Sequence, residues 1–250
     1  MGDQLRKSFR AATSLARFPK TAVAAVLERE FNERSKLPEL SAELDGLVHS
    51  GPVILPPLIH LRNGTQDVHG LASLLAIARA IDAKSVFEIG TFTGLTTLAL
   101  ALNLPCATIH TLDLPAGAKG ALRTDKFDAQ YVPDVTSRRV YLDSPAAAAR
   151  IVQHEADSAK FDFDGLHQKF DLVYIDGAHS YEYVRSDTEA AYRIVAADGA
   201  IVWDDYNRHW PEVSTYLDAH ARPGTCYLPG EPRRLAVWFG DMRRIRAAVL

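Results

Sequence analysis

Short apolar runs that stop at a glycine or an acid recur along this chain, and that pattern leaves few folds open. They are residues 85–90 (Ser-Val-Phe-Glu-Ile-Gly), 107–113 (Ala-Thr-Ile-His-Thr-Leu-Asp), 170–176 (Phe-Asp-Leu-Val-Tyr-Ile-Asp) and 200–204 (Ala-Ile-Val-Trp-Asp). Between them the period becomes helical. Residues 94–102 are rich in Leu and Ala, and residues 181–195 set Val184, Ala191, Ile194 and Val195 on one side. Ahead of the first run, Val68, Leu71, Leu74, Leu75, Ala78 and Ile81 also keep helical spacing, with Thr65 or Asp67 as cap. A further strand is expected at residues 151–157, after a helix start at Ser144-Pro145, and Asp198-Gly199 reads as the stop before residues 200–204. Strands alternating with helices give βαβ units, a parallel sheet and right-handed crossovers. Ligands of such sheets bind outside the carboxyl ends of the strands. Here those ends carry Glu88 and Gly90, Asp113, Asp176, and Asp204 with Asp205.

Composition narrows the class of function. With 28 basic against 31 acidic residues there is no positive excess, which argues against a nucleic-acid partner held by bulk charge. Cys106 and Cys226 stand far apart in no metal-type spacing, so neither a disulfide framework nor a thiolate metal site is expected, and a reducing, cytoplasmic setting fits. No run of 18 apolar residues exists to form a transmembrane segment. The start of the chain is basic (Arg6, Lys7, Arg10, Arg17, Lys20), and its apolar stretch at 21–27 ends at once in Glu-Arg-Glu, too short for a signal peptide. It reads as a solvated helix or as an amphipathic arm against a partner subunit or a membrane surface. Residues 1–58 are expected to form a helical extension, with pieces at 21–32 and 38–49 and a Gly- and Pro-rich connector, and residues 59–250 the main domain. The extension offers a route to a homo-oligomer. Residues 114–143 fit no strand–helix unit and read either as a lid or substrate loop or as an ordinary insertion.

The turn after the first run, Glu88-Ile89-Gly90-Thr91-Phe92-Thr93-Gly94, opens a helix. Glycine permits a sharp turn and close approach of a ligand, and the helix end adds free N–H groups. A dinucleotide site wants Gly-x-Gly-x-x-Gly; here Phe92 and Leu95 occupy the second and third glycine positions. A nicotinamide-dependent oxidoreductase is therefore the weaker reading, and a ligand with an amino-acid end fits the turn better. Asp113, 19 residues past Gly94, is placed to accept hydrogen bonds from ribose hydroxyls.

Asp176 ends one strand and Asp204-Asp205 the next. Adjacent strands lie about 4.8 Å apart, so on neighbouring strands these acids converge. Three like charges need neutralising, and a hard divalent cation bound by oxygens does this. His179, three residues beyond Asp176, is a candidate base, with a metal-ligand or supporting role as the alternative. Tyr181 and Tyr183 read as packing; Tyr206, Arg208, His209 and Trp210 read either as a loop contacting substrate or as polar surface.

Residues 86–94 resemble the first motif of class I S-adenosylmethionine-dependent methyltransferases, in the version found in metal-dependent, catechol-type O-methyltransferases. Residues 170–182 and 201–206 are closer to the branch that methylates sugar hydroxyls of macrolide and aminocoumarin antibiotics. The resemblance spans about residues 60–240. It implies a Rossmann-like α/β fold, a seven-stranded mostly parallel sheet with helices on both faces. It also implies S-adenosylmethionine as methyl donor, Mg²⁺ or another divalent cation, and a small hydroxylated acceptor, a sugar or natural product. Glu88, Gly90, Thr91, Thr93 and Gly94 would surround the methionine part, Asp113 the ribose, and Asp157-Ser158 the adenine, although Ala156 replaces the family's glycine. Asp176, Asp204 and Asp205 would hold the metal, and His179, where catechol-type relatives have lysine, or Asp176 would take the proton. A cofactor-binding protein of the same fold without turnover is the remaining alternative.

Overall fold

The computed structural model describes residues 31, 34–40, 46, 52–57, 65–115, 117–123, 128, 139–228 and 235–241. The expected helices at 21–32 and 38–49, and most of the 1–58 extension, lie outside the described residues.

Helix α1 (Val68–Ala80) begins at Asp67, whose carboxylate accepts from the His69 and Gly70 amides. Strand β1 (Ser85–Ile89) leads into α2 (Leu95–Asn103), and β2 (Thr108–Asp113) follows. After a 3₁₀ turn at Val140–Asp143, a single helical turn, α3 (Pro145–Ala148), precedes β3 (Ile151–Glu155). The chain continues through β4 (Phe170–Ile175), α4 (Tyr181–Ile194), β5 (Val195–Trp203), α5 (Pro211–His220), β6 (Cys226–Leu228) and β7 (Leu235–Phe239).

These strands form one seven-stranded sheet in the order β3-β2-β1-β4-β5-β7-β6. The first five run parallel, and β7 is antiparallel to both β5 and β6. Alternate side chains of each strand enter different cores. Val86, Leu172, Tyr174 and Val202 pack with α1 and α2 on one face. Phe87, Val173, Ile175 and Trp203 pack with Val184 and Ala191 of α4 and Val213 and Leu217 of α5 on the other. Continuous apolar runs are what a parallel sheet covered on both faces requires. No helix among the described residues is long and apolar enough to cross a membrane.

One boundary is corrected. Asp198-Gly199 does not stop the chain before a strand at 200–204; β5 begins at Val195 and runs through it. The β4–β5 register shifts between Phe170 and Leu172. A Cβ at Gly199 would stand 2.7 Å from the Asp171 carbonyl oxygen, so glycine serves close strand approach here rather than a turn. Helix α5 and strand β6 were not anticipated. The signal for α5 was present: Pro211 at its first position, then Val213, Tyr216 and Leu217 at helical spacing.

The order of strands reverses at β1, with β2 and β3 on one side and β4 and β5 on the other. That switch point opens a crevice at the carboxyl edge.

Candidate active site

Gly90 leaves β1 at the switch point with φ +100°, and a Cβ there would lie 1.9 Å from the Asp176 carbonyl oxygen. Only glycine lets the tips of β1 and β4 meet; Asp176 N donates to Ile89 O at 2.8 Å. Phe92 also takes positive φ (+46°) in this turn, and Gly94 (+76°) caps α2. Thr93 Oγ1 is buried here without a hydrogen-bond partner, an open polar position at the base of the turn.

Glu88 shares the parity of Val86 and faces α2 rather than the crevice. Fully buried, it accepts from the Thr97 and Thr111 hydroxyls through one oxygen, while the other has no partner. Burial raises its pKa from 4.5 to about 7 despite those hydrogen bonds. Thr111 continues to Thr91 (2.7 Å), and Gln153 joins Thr91 (3.1 Å) to Tyr141 (2.8 Å). Of the residues assigned to the turn, Glu88 and Thr91 therefore brace it from below.

Asp113 at the tip of β2 accepts from Phe92 N (2.7 Å) and Leu114 N (2.8 Å). A third partner was not foreseen: Arg139 Nη2 lies 3.0 Å from Asp113 Oδ2, with both side chains almost covered, while Arg139 Nη1 is buried without a partner. Burial raises the Asp113 pKa, opposed by Arg139 and the two amides. Val140 N donates to Thr93 O, which fixes residues 139–140 over the glycine turn. Asp157, beyond β3, accepts from Ala159 N (3.0 Å), Tyr183 OH (3.1 Å) and Ala121 N. Tyr183 thus packs as expected but also reaches Asp157. Behind it, Asp187 of α4 is fully buried, and burial raises its pKa to about 7, an effect the Ser158 hydroxyl only partly offsets.

Since β4 and β5 pair in parallel, Ile175 beside Trp203, their acids do converge. Ligand atoms of Asp176, His179 and Asp205 all lie within 4.8 Å of one another. Asp204 is turned partly away: its Oδ1 accepts from Asp205 N (2.7 Å), and its Oδ2 lies 3.3 Å from the Tyr174 hydroxyl. That hydroxyl is also 3.1 Å from Asp176 Oδ2 and receives Gln66 Nε2 at 3.2 Å. Burial and the charges of Asp176 and Asp204 hold the Tyr174 pKa well above its usual value, so the phenol stays a donor. Asp205 is buried in the left-handed region (φ +58°), with Asn207 Nδ2 on its Oδ1 at 2.9 Å. A non-glycine residue held there stores strain of about 1–3 kcal/mol, which is concentrated at functional sites.

His179 is held on every side. Its ring stacks on Trp210 at 3.9 Å, 17° from parallel. Asp128 accepts from its Nδ1 (2.6 Å) and its backbone N (2.8 Å). Nε2 lies 2.8 Å from Asp205 Oδ2 yet makes no aligned hydrogen bond. Burial alone would lower the imidazole pKa, but Asp128 and Asp205 outweigh it and hold it well above the ordinary value. Tyr206, by contrast, is buried and donates to Asp218 at 2.6 Å, so it belongs to packing.

Described residues of the 114–143 stretch thus reach Asp157 through Ala121, His179 through Asp128 and Asp113 through Arg139. Arg123 adds an anchor to Glu212 at 2.8 Å, and Glu212 itself accepts from Tyr181 N at the start of α4. These described residues lie against the site. No sequence signal marked Asp128 or Arg139, and Trp210, read as substrate loop or polar surface, was not matched to His179, because their partners are distant in the chain.

Residues 87–206 match the family model of a methyltransferase domain. Among curated proteins, none matches the chain. Solved structures share the fold at low identity. Cofactor-bound Rv0187 from MTB is 20% identical, with 80% of this chain and 88% of that one covered and a TM-score of 0.53. The O-methyltransferase TomG from Streptomyces achromogenes, in complex with SAM, is 15% identical over 86% of this chain and 96% of its own (TM-score 0.51). The SAH-bound methyltransferase PaMTH1 from Podospora anserina is 15% identical over 88% and 96% (TM-score 0.52). The matched segment carries the glycine turn and the acids at the tips of β2, β4 and β5, and the fold is the one that these methyltransferase structures share.

Proposed function

We propose that the protein is an O-methyltransferase that uses a divalent cation and acts on a hydroxyl of a small polyhydroxylated molecule, a sugar or natural product. The observation that carries this reading is the convergence of Asp176, His179 and Asp205 at the tips of β4 and β5, beside the glycine turn of β1. A methyl donor fits that turn: Thr93 Oγ1 and Arg139 Nη1 are buried there without partners, and Asp113 stands at the next strand tip. Asp113 would take the ribose hydroxyls, and Asp157 with Ser158 the adenine. Bound there, S-adenosylmethionine supplies an electrophilic methyl carbon.

The carboxylate oxygens of the cluster fit a hard cation by their donor chemistry. Asp176 and Asp205 would hold the ion through oxygen, with Asp204 alongside. Mg²⁺ there would supply charge that stabilises a developing alkoxide. The rest falls to the protein. Tyr174 and Asn207 fix the carboxylates, and Trp210 fixes the plane of His179. Since Asp128 and Asp205 hold a proton on His179, the hydroxyl proton would pass to Asp176, or to His179 Nε2 where the pH exceeds its raised pKa. The buried strand tips exclude water and align the acceptor oxygen with the methyl carbon. A nucleophile of oxygen rather than carbon or nitrogen agrees with TomG, an O-methyltransferase that shares this fold.

Calorimetry with S-adenosylhomocysteine and with NAD, each with and without Mg²⁺, tests the reading. S-adenosylhomocysteine should bind and NAD should not. Asp113→Ala should lower S-adenosylhomocysteine affinity, while Asp205→Ala should spare it and abolish Mg²⁺ binding. Mg²⁺ bound equally well by Asp205→Ala, or methyl transfer undiminished by a chelator, overturns the metal part.

A further inference from the structure

A cleft of about 350 Å³ lies between Phe31, Arg34 and Ser35 on one side and the segment that runs from Arg208 into α5 on the other. Its size falls among those of small-molecule sites, roughly 300–1,000 Å³. The residues assigned to the methyl donor and the metal are not in its described lining, but they are its neighbours in the chain. Asp205 and Trp210 face His179, whereas Arg208 and Pro211, from the same loop, line the cleft. Arg208 follows Asp205 by three positions, so their Cα atoms are at most about 11 Å apart. That span is short enough for one acceptor to touch both.

The charged groups of the lining are two guanidiniums, Arg34 and Arg208, and one carboxylate, Asp218. Asp218 is already engaged, since its Oδ1 accepts from Tyr206 OH at 2.6 Å and from Lys36 N at 3.1 Å. Glu212, in the first turn of α5, is held by Arg123 at 2.8 Å and is not in the lining. The cleft therefore keeps a positive balance, and the N-terminal end of the ten-residue helix beside it adds to that. Guanidinium groups grip carboxylates and phosphates through paired N–H donors. The hydroxyls select further. Ser35 Oγ donates to Phe31 O at 2.9 Å and Ser214 Oγ to Pro211 O at 3.1 Å, so both have committed their protons and can only accept. Such positions suit a ligand that brings O–H donors of its own. Phe31 and Pro211 supply an apolar flank for its carbon skeleton.

We infer that this cleft is an anion subsite for the acceptor, and that the acceptor is a sugar or similar polyol bearing a carboxylate or a phosphate. Arg34 and Arg208 hold the anion, and Ser35 and Ser214 accept from the hydroxyls. The inference rests on the proposed methyl transfer to a hydroxyl and narrows the class of molecule that brings it. It gives the loop after β5 two duties: Asp205 serves the reacting oxygen and Arg208 the far end of the same molecule.

Calorimetry of the full-length protein without Mg²⁺ tests it, with D-glucuronate, D-glucose 6-phosphate and D-glucose as probes. One or both acids should bind roughly tenfold more tightly than glucose, the size of a hydrogen bond to a charged group, and the tighter of the two identifies the anion. Arg34→Gln and Arg208→Gln should each weaken that acid by a similar factor and bind S-adenosylhomocysteine as the wild type does. Saturating S-adenosylhomocysteine should leave the acid's affinity unchanged. Glucose bound as tightly as both acids, neither acid bound, or an affinity that survives both substitutions overturns the inference. Competition with S-adenosylhomocysteine places the acid in the donor pocket and overturns it also. Failure of the wild type to bind S-adenosylhomocysteine strikes the proposed function instead, while the acid titration still reports on the cleft.

Discussion

Replacing Glu88 by Gln should stabilise this protein at pH 8 and do little at pH 4.5. The buried Glu88 carboxyl has a pKa of about 7 against 4.5 for a free glutamate, because desolvation outweighs its two threonine hydrogen bonds. In that interval the folded protein keeps the proton while the unfolded chain has lost it. Stability therefore falls as pH rises from 4.5 towards 7 and levels off above. At ~1.4 kcal/mol per pH unit the loss is about 3 kcal/mol. Glutamine has no charge to desolvate, and its amide can still meet Thr97 and Thr111. Asp187, raised to about 7 by burial, loses stability over a similar window, but it is common to both proteins and cancels from the comparison. Urea unfolding of wild type and Glu88→Gln at pH 4.5 and 8 measures the effect. The stability difference between the two proteins should grow by about 3 kcal/mol across that range. A difference independent of pH refutes the argument, since it would mean that Glu88 ionises in the folded state as freely as in water.

Two further perturbations probe the crevice. Gly90→Ala puts a Cβ 1.9 Å from the Asp176 carbonyl oxygen at φ +100°, so the tips of β1 and β4 must separate; a loss of about 4 kcal/mol or more in urea unfolding is expected, and a loss under 1 kcal/mol, roughly the cost of a tolerable backbone change, would contradict the close approach. Arg139→Ala removes a guanidinium that lies 3.0 Å from Asp113 and whose buried Nη1 has no partner beside the donor's turn. S-adenosylhomocysteine should then bind on the order of tenfold more weakly by calorimetry, about 1.4 kcal/mol; tighter binding would make Arg139 a competitor of the ribose for Asp113.

Sequence alone determined the parallel core of the fold. A β-strand buried on both faces must be apolar throughout, and it must end where polar backbone or side chains return to water, so the runs closing in Gly90, Asp113, Asp176 and Asp204 marked both strands and site. Gly90 and Gly94 were legible because few other residues take positive φ. Tertiary structure decided the rest. It showed that Asp198-Gly199 lies inside β5, since the glycine answers to the Asp171 carbonyl of a neighbouring strand and not to local turn chemistry. It separated Asp204, engaged with Tyr174 and its own neighbour, from Asp205, which faces His179. It also supplied Asp128 and Arg139, and it gave Trp210 its partner, His179. A periodic pattern reports which way a residue faces within its own element. Which distant side chain meets it is fixed only when the connections fold back over the sheet, and for these three no local spacing carries that information.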